Sequence, residues 1–193
     1  LNTSILHPDI QKFIIENTGA DITKLALQKN PFPDVEWILI LNQMEARTKA
    51  KDKLPTWFAA ENIIYPSKIS VEQTSSEKTA SYKASLISGK TLIDLTGGFG
   101  VDDYYFSKPF DSVTHCEINE DLSAIVQHNF EQLDVKNCVF YSGDSQDYLE
   151  KTNQKWDWIY IDPSRRNDAK GKVFMLKDCL PNVPELLDFY FEK

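Results

Sequence analysis

Thr91-Leu92-Ile93-Asp94-Leu95-Thr96-Gly97-Gly98-Phe99-Gly100-Val101-Asp102-Asp103 reads as a strand, a glycine turn and the opening of a helix. The apolar run ends on an acid, and the glycines that follow permit positive φ and a close approach to backbone. Three more acidic signals follow apolar runs downstream: His115-Cys116-Glu117-Ile118-Asn119, Ser142-Gly143-Asp144-Ser145 and Ile161-Asp162-Pro163-Ser164-Arg165-Arg166. Between them the pattern alternates. Strands are expected over Thr91–Leu95, Ser112–Glu117, Cys138–Tyr141 and Trp156–Ile161. Helices are expected over Asp102–Ser107, Glu120–Gln132, Gln146–Glu150 and Val183–Phe191. Alternating βα units imply an α/β fold with a parallel sheet and right-handed crossovers.

Open parallel sheets bind ligands beyond the carboxyl ends of their strands. A glycine turn and three carboxylates along that edge describe a site for a nucleoside-containing cofactor. A G-x-G-x-x-G frame started at Gly98 meets Asp103 where the third glycine belongs, which favours a cofactor without a pyrophosphate over a nicotinamide dinucleotide. Glu117 ends the second strand, where an acid can take both ribose hydroxyls; its alternative is an exposed strand-end carboxylate. Asp144 can accept from an adenine amino group or cap the next helix. Asp94 can orient the glycine turn or reach the cofactor's ammonium. Thr96, Gly97, Gly98 and Gly100, with Ile118 beside Glu117 and Ser145 beside Asp144, complete the expected cofactor-binding set. In the fourth signal, Pro163 restricts Asp162 to extended geometry. Asp162 and Pro163 are then rigid acceptors able to grip an N–H whose lone pair must attack. Arg165 and Arg166 add forked donors suited to phosphate, and with Ser164 they form the expected substrate-binding set. The alternative is a strand-to-loop turn carrying a solvated basic pair.

The rest of the chain sets limits. Its 193 residues suit one domain, or one and a smaller one, and 41% hydrophobic with 26% charged residues is ordinary globular composition. A net charge of −8 does not suit a stand-alone nucleic-acid binder, so an RNA substrate would need another domain or a local basic patch. No apolar run is long enough to span a bilayer and no signal peptide is visible. Cys116, Cys138 and Cys179 are scattered, which favours a reducing, cytoplasmic compartment. His7, His115 and His128 share no ligand spacing, so no metal is expected. Residues 1–65 read as a helical N-terminal domain and 66–193 as the α/β domain. Pro8 opens a first helix closed by Gly19, Asp21 caps a second, and Pro33-Asp34 opens a third that runs into the basic stretch Arg47–Lys53. That stretch reads as a solvated helix end, with RNA contact as the alternative. Thr74-Ser75-Ser76-Glu77 fits a capping box.

These residues resemble those of a class I S-adenosylmethionine-dependent methyltransferase over roughly Val71 to the C-terminus. Asp94–Gly100 is similar to the first motif of that superfamily, Glu117 to its ribose-binding acid, Asp144 to its adenine-site acid, and Asp162-Pro163 to the start of its Asp/Asn-Pro-Pro-aromatic motif. The run Glu72–Ala84 and the Asp-Pro-Ser-Arg-Arg ending look like a bacterial group with a helical N-terminal region and a C-terminal THUMP-like domain. More distantly, the chain is similar to trimethylguanosine-synthase-like and ribosomal RNA guanine-N2 methyltransferases. The resemblance implies S-adenosyl-L-methionine as cofactor, a base in structured RNA as substrate, and Asp162 with the Pro163 carbonyl holding the nucleophile. It also implies a seven-stranded Rossmann-like sheet, whose last strands are expected to be missing here. Ser164 and Arg165 stand where the motif has proline and an aromatic; Tyr82, Phe99 or Phe174 are the alternative stacking residues. The departure, the acidic charge and the missing strands also fit a second expectation, a catalytically degenerate module for RNA binding or assembly.

Overall fold

The computed structural model describes residues 2–164, 166–167, 171–172 and 174–193, and of residues 166, 167, 171 and 172 only the backbone. After a 3-10 turn at Thr3–Leu6, the N-terminal helices are α1 (Pro8–Glu16), α2 (Ile22–Ala26), α3 (Trp37–Lys53), α4 (Pro55–Ala59), α5 (Lys68–Gln73) and α6 (Glu77–Ser85). Then β1 (Gly89–Asp94), α7 (Val101–Phe106), β2 (Phe110–Glu117), α8 (Glu120–Gln132), β3 (Cys138–Ser142), α9 (Ser145–Lys151) and β4 (Trp158–Tyr160) alternate. A short hairpin, β5 (Arg166–Asn167) and β6 (Gly171–Lys172), precedes α10 (Val183–Phe191).

β1 to β4 form one parallel sheet in the order β3-β2-β1-β4, so the expected α/β class holds. Its two faces are set by alternation along the strands. Leu92 packs with Ala84, Phe106, Phe110 and Val113 on one side. Ile93 packs with Leu95, Cys116, Leu149, Trp156 and Tyr190 on the other. Both residues are fully buried, as a parallel strand covered on two faces requires. A further cluster joins Ala46 and Ala50 of α3, Leu54 between the helices and Trp57 of α4 to Phe99, Val101, Val126 and Phe130.

Three local expectations are corrected. The third helix starts at Trp37, not Pro33, because Asn30 brackets the intervening turn: its amide donates to Val35 O at 2.7 Å and its carbonyl accepts from Phe32 N at 2.9 Å. The capping box is displaced. Thr74 ends α5, Ser76 caps α6, and Glu77 turns inward to accept from Thr56 N (2.6 Å), Thr56 Oγ1 (2.7 Å) and the Tyr105 hydroxyl (2.7 Å). The basic stretch is tied down rather than only solvated. Arg47 donates to Phe58 O over the Phe58 ring, Lys53 donates to Glu72 O, and Lys49 lies 3.3 Å from the Glu72 carboxylate.

Candidate functional site

The parallel register brings the carboxyl ends of all four strands to one edge: Asp94 lies opposite both His115 and Tyr160, and Glu117 opposite Ser142. The glycine turn leaves β1 over this edge. Gly97 N donates to Cys116 O at 2.8 Å, and Gly98 N donates to the Glu117 carboxylate at 3.0 Å. The other Glu117 oxygen accepts from Asn119 N at 2.8 Å. Glu117 thus holds both the turn and the start of α8, and its remaining lone pairs stay available, since a carboxylate offers about four acceptor sites. Gly98 (φ 55°) and Gly100 (φ 73°) adopt left-handed conformations that favour glycine. A Cβ on Gly98 would meet nothing closer than Thr96 O at 3.7 Å, so this side of the turn is open. Beside it Ile118 is 70% exposed, an apolar surface next to an acid.

Beneath the turn lies a polar cluster. Asp94 is buried, and its Oδ1 accepts from Thr96 N (2.7 Å) and Thr96 Oγ1 (3.1 Å). Asp103, in the first turn of α7, reaches His115 Nδ1 at 2.6 Å, both side chains being fully buried. Burial, then the nearby Asp103, pushes the Asp94 carboxyl well above the usual range, while the Thr96 amide opposes the rise. Burial and Asp102 raise Asp103 in the same way. Burial holds His115 below its ordinary value against the pull of Asp94 and Glu117. Burial thus disfavours the charged form of all three groups: the imidazole gives up its proton, and the two acids keep theirs, more readily than exposed groups of the same kind.

Of the remaining cofactor-site residues, Asp144 is exposed and caps α9, accepting from Gln146 N at 2.8 Å and Asp147 N at 3.4 Å; Ser145 is the first residue of that helix. On β4, Asp162 is exposed two residues past the strand, and its N–H donates to Thr96 Oγ1 at 2.8 Å. Pro163 follows, and Ser164 pairs with Leu180 through a bridge (Ser164 N to Leu180 O, 2.9 Å). The phosphate role expected of Arg165 lies outside the described residues, and of Arg166 only the backbone in β5 is described. Of the alternative stacking residues, Phe99 is ruled out by burial in the core beside Trp57 and Tyr65, whereas Tyr82 and Phe174 are exposed.

Sequence reasoning missed the support beneath this edge. Asp103 entered only as the residue that broke a dinucleotide frame, yet it is the partner of His115. Lys83 was also missed: its ammonium meets Tyr160 OH (2.6 Å), Asp102 Oδ2 (3.0 Å) and Ser75 Oγ (3.0 Å), tying α6, α7 and β4 together. Its three-residue offset from Ala80, which is buried, places it on the inner face of α6, and that was the available signal.

No protein-family model matches the chain, and no curated protein matches it in sequence. Solved structures do. A candidate methyltransferase from Porphyromonas gingivalis W83 superposes with a TM-score of 0.76 at 27% identity, over 93% of this chain and 45% of its own. The fold is that of a Rossmann-like methyltransferase. The chain thus spans under half the length of that protein. A candidate RNA methyltransferase from Pyrococcus horikoshii gives a TM-score of 0.48 at 19% identity, over 74% of this chain and 68% of its own. A candidate methyltransferase from Streptococcus mutans, solved with S-adenosylhomocysteine, gives 0.43 at 16%, over 57% and 64%. Among the described residues no three metal-ligating side chains gather, and no helix is long and apolar enough to cross a membrane.

Proposed function

We propose that the chain is an S-adenosylmethionine-dependent methyltransferase acting on a base in structured RNA, with residues 1–65 as a helical domain and 66–193 as the methyltransferase domain. The observation that carries the reading is the edge where Glu117 holds an open glycine turn beside the exposed Ile118, with Asp162 joined to the same turn. This donor set fits a nucleoside cofactor. Glu117 takes the ribose hydroxyls, Ile118 lies against the adenine, Asp144 accepts from its amino group, and Gly97, Gly98 and Gly100 let the ligand approach the backbone. When bound, S-adenosylmethionine supplies a methyl group already activated by its sulfonium. The chain's own task is positioning: Asp162 and the Pro163 carbonyl hold the nucleophile's N–H, and Ser164, Arg165 and Arg166 hold substrate. The likeness to the Porphyromonas protein supports the fold on which this rests.

Calorimetry of the 193-residue chain with S-adenosylhomocysteine tests the cofactor. One-to-one binding that weakens in Glu117→Ala is expected; no heat from the folded protein would sink the assignment. Transfer of labelled methyl to total RNA, abolished in Asp162→Ala, tests the reaction. A second reading, a degenerate module that binds RNA without transfer, is favoured by Ser164 and Arg165 standing where the motif has proline and an aromatic. S-adenosylhomocysteine binding and RNA binding with no methyl transfer would select it.

A further inference from the structure

At the split between β1 and β4, one side chain replaces the backbone ladder. The last backbone bond between these strands runs from Leu95 N to Tyr160 O at 3.0 Å. Beyond it the chains diverge, β1 into the glycine turn and β4 toward Asp162-Pro163. Asp162 N would lose its partner there, but Thr96 Oγ1 accepts from it at 2.8 Å. The same hydroxyl donates to Asp94 Oδ1 at 3.1 Å, and Thr96 N donates to that oxygen at 2.7 Å. A hydroxyl has one proton and can both donate and accept, so Thr96 is used in both directions. On its far side the Asp162 segment is held by the Ser164–Leu180 bridge. Between these two pins stand the residues assigned to the nucleophile.

We propose that Thr96 is a positioning residue that couples the cofactor edge to the substrate edge. The turn's position is transmitted through the Thr96 hydroxyl to the Asp162 amide, and so fixes the direction of the Asp162 side chain and the Pro163 carbonyl. Asp94 is the anchor: buried and also holding the Thr96 amide, it orients the hydroxyl so that its lone pair faces Asp162. A ligand that settles on the turn therefore tightens Asp162, 66 residues away in sequence. The coupling rests on the proposed function, because it takes the turn as the cofactor site.

Residue-resolved hydrogen exchange on the full chain reads the link without any methyl acceptor. In the ligand-free protein, Thr96→Val removes the acceptor, and the Asp162 amide exchanges about three- to tenfold faster, the worth of one net hydrogen bond. Thr96→Ser restores the wild-type rate. With S-adenosylhomocysteine at saturation, the Asp162 amide slows in the wild type and in Thr96→Ser but does not respond in Thr96→Val. Core amides of Leu92 and Val113 report that each variant is folded, and Thr96→Ala replaces the valine variant if they do not hold. Unchanged Asp162 exchange in the folded valine variant overturns the proposal. So does a wild type that binds S-adenosylhomocysteine with no response at Asp162, or a valine variant that no longer binds it, which would make Thr96 a cofactor ligand only. Absence of binding to the wild type is a separate result: it overturns the cofactor reading, and the coupling with it.

Discussion

Gly97 and Gly98 are adjacent and chemically identical, yet they are glycines for different reasons. A Cβ on Gly97 would meet His115 Cε1 at 2.2 Å and Nδ1 at 2.3 Å, in a ring fixed by Asp103 and fully buried. Gly98 has room for a Cβ, but its φ is 55°. Gly97→Ala must displace His115 and is expected to cost about 3 kcal/mol, at the upper end for overpacking. Gly98→Ala should cost only about 1 kcal/mol of backbone strain. Urea midpoints of the two variants decide this; equal losses would mean the imidazole yields freely. The same histidine imposes a pH dependence. Its folded value lies below the unfolded one, so below about pH 6.5 the unfolded chain takes up a proton that the folded chain refuses. Stability from this group is thus present at neutral pH and lost as pH falls. His115→Gln should remove this group's share of the slope, so that between pH 5 and 7 the variant gains stability with pH less steeply than wild type, by up to about 1.4 kcal/mol per pH unit, while the raised Asp94 and Asp103 carboxyls contribute the opposite slope to both proteins. A parallel pair of profiles would show that His115 is not the titrating group.

At the scale of elements, Glu77 shows where sequence reading stops. Thr74 to Glu77 match a local capping box, but Glu77 serves another helix: it accepts from Thr56, whose N–H lies in the open first turn of α4. Burial and the Glu77 carboxylate push the Tyr105 phenol up to about 12, so Tyr105 remains a donor to it at neutral pH. Glu77→Gln keeps one acceptor for three donors, and a loss of about 2 kcal/mol is expected. Thermal unfolding checks it, with Glu77→Ala as the larger loss. By contrast, α8 and α10 begin and end where the sequence places them. Asn119 caps α8 by accepting from Leu122 N, and proline sits in the first turn of α10, so both starts are written locally. The strands were legible for the same reason, as short apolar runs ending in an acid and a turn. The acids at the carboxyl edge followed from their places at the ends of apolar runs. His115 with Asp103, and Thr96 with Asp162, did not, because each pair forms only once crossovers bring distant residues level. The start of α3 was lost to a single asparagine side chain bracketing the turn before it.

For the whole molecule, the segment Ile64-Tyr65 is gripped from two sides by buried amides. Gln43 of α3 pairs with Tyr65, donating to its O at 2.6 Å and accepting from its N at 2.8 Å. Asn129 of α8 does the same for Ile64, at 2.8 and 2.9 Å. Each amide meets one donor and one acceptor, the pairing a strand would provide, so α3 and α8 together hold one extended strip of backbone. The core cluster that includes Trp57 and Phe130 also takes in Ile63 and Tyr65, which ties this strip to the rest of the core. Asn129→Ala leaves a buried N–H and a buried carbonyl without partners, and a loss of about 2–4 kcal/mol is expected. Asn129→Asp is the sharper test. An ionised carboxylate can still accept from Ile64 N, but it faces Ile64 O with no proton to donate. Burial and that carbonyl should raise the folded pKa of this aspartate, so that the folded state holds a proton the unfolded state has released. The variant's deficit should therefore be largest at pH 8 and shrink toward pH 5.5, where a protonated carboxyl can donate to Ile64 O much as the amide does. Denaturant unfolding at the two pH values, with Asn129→Ala as the pH-independent control, measures the difference. A deficit equal at both would mean that the backbone of Ile64 finds other partners, and that Asn129 is packing rather than a clamp.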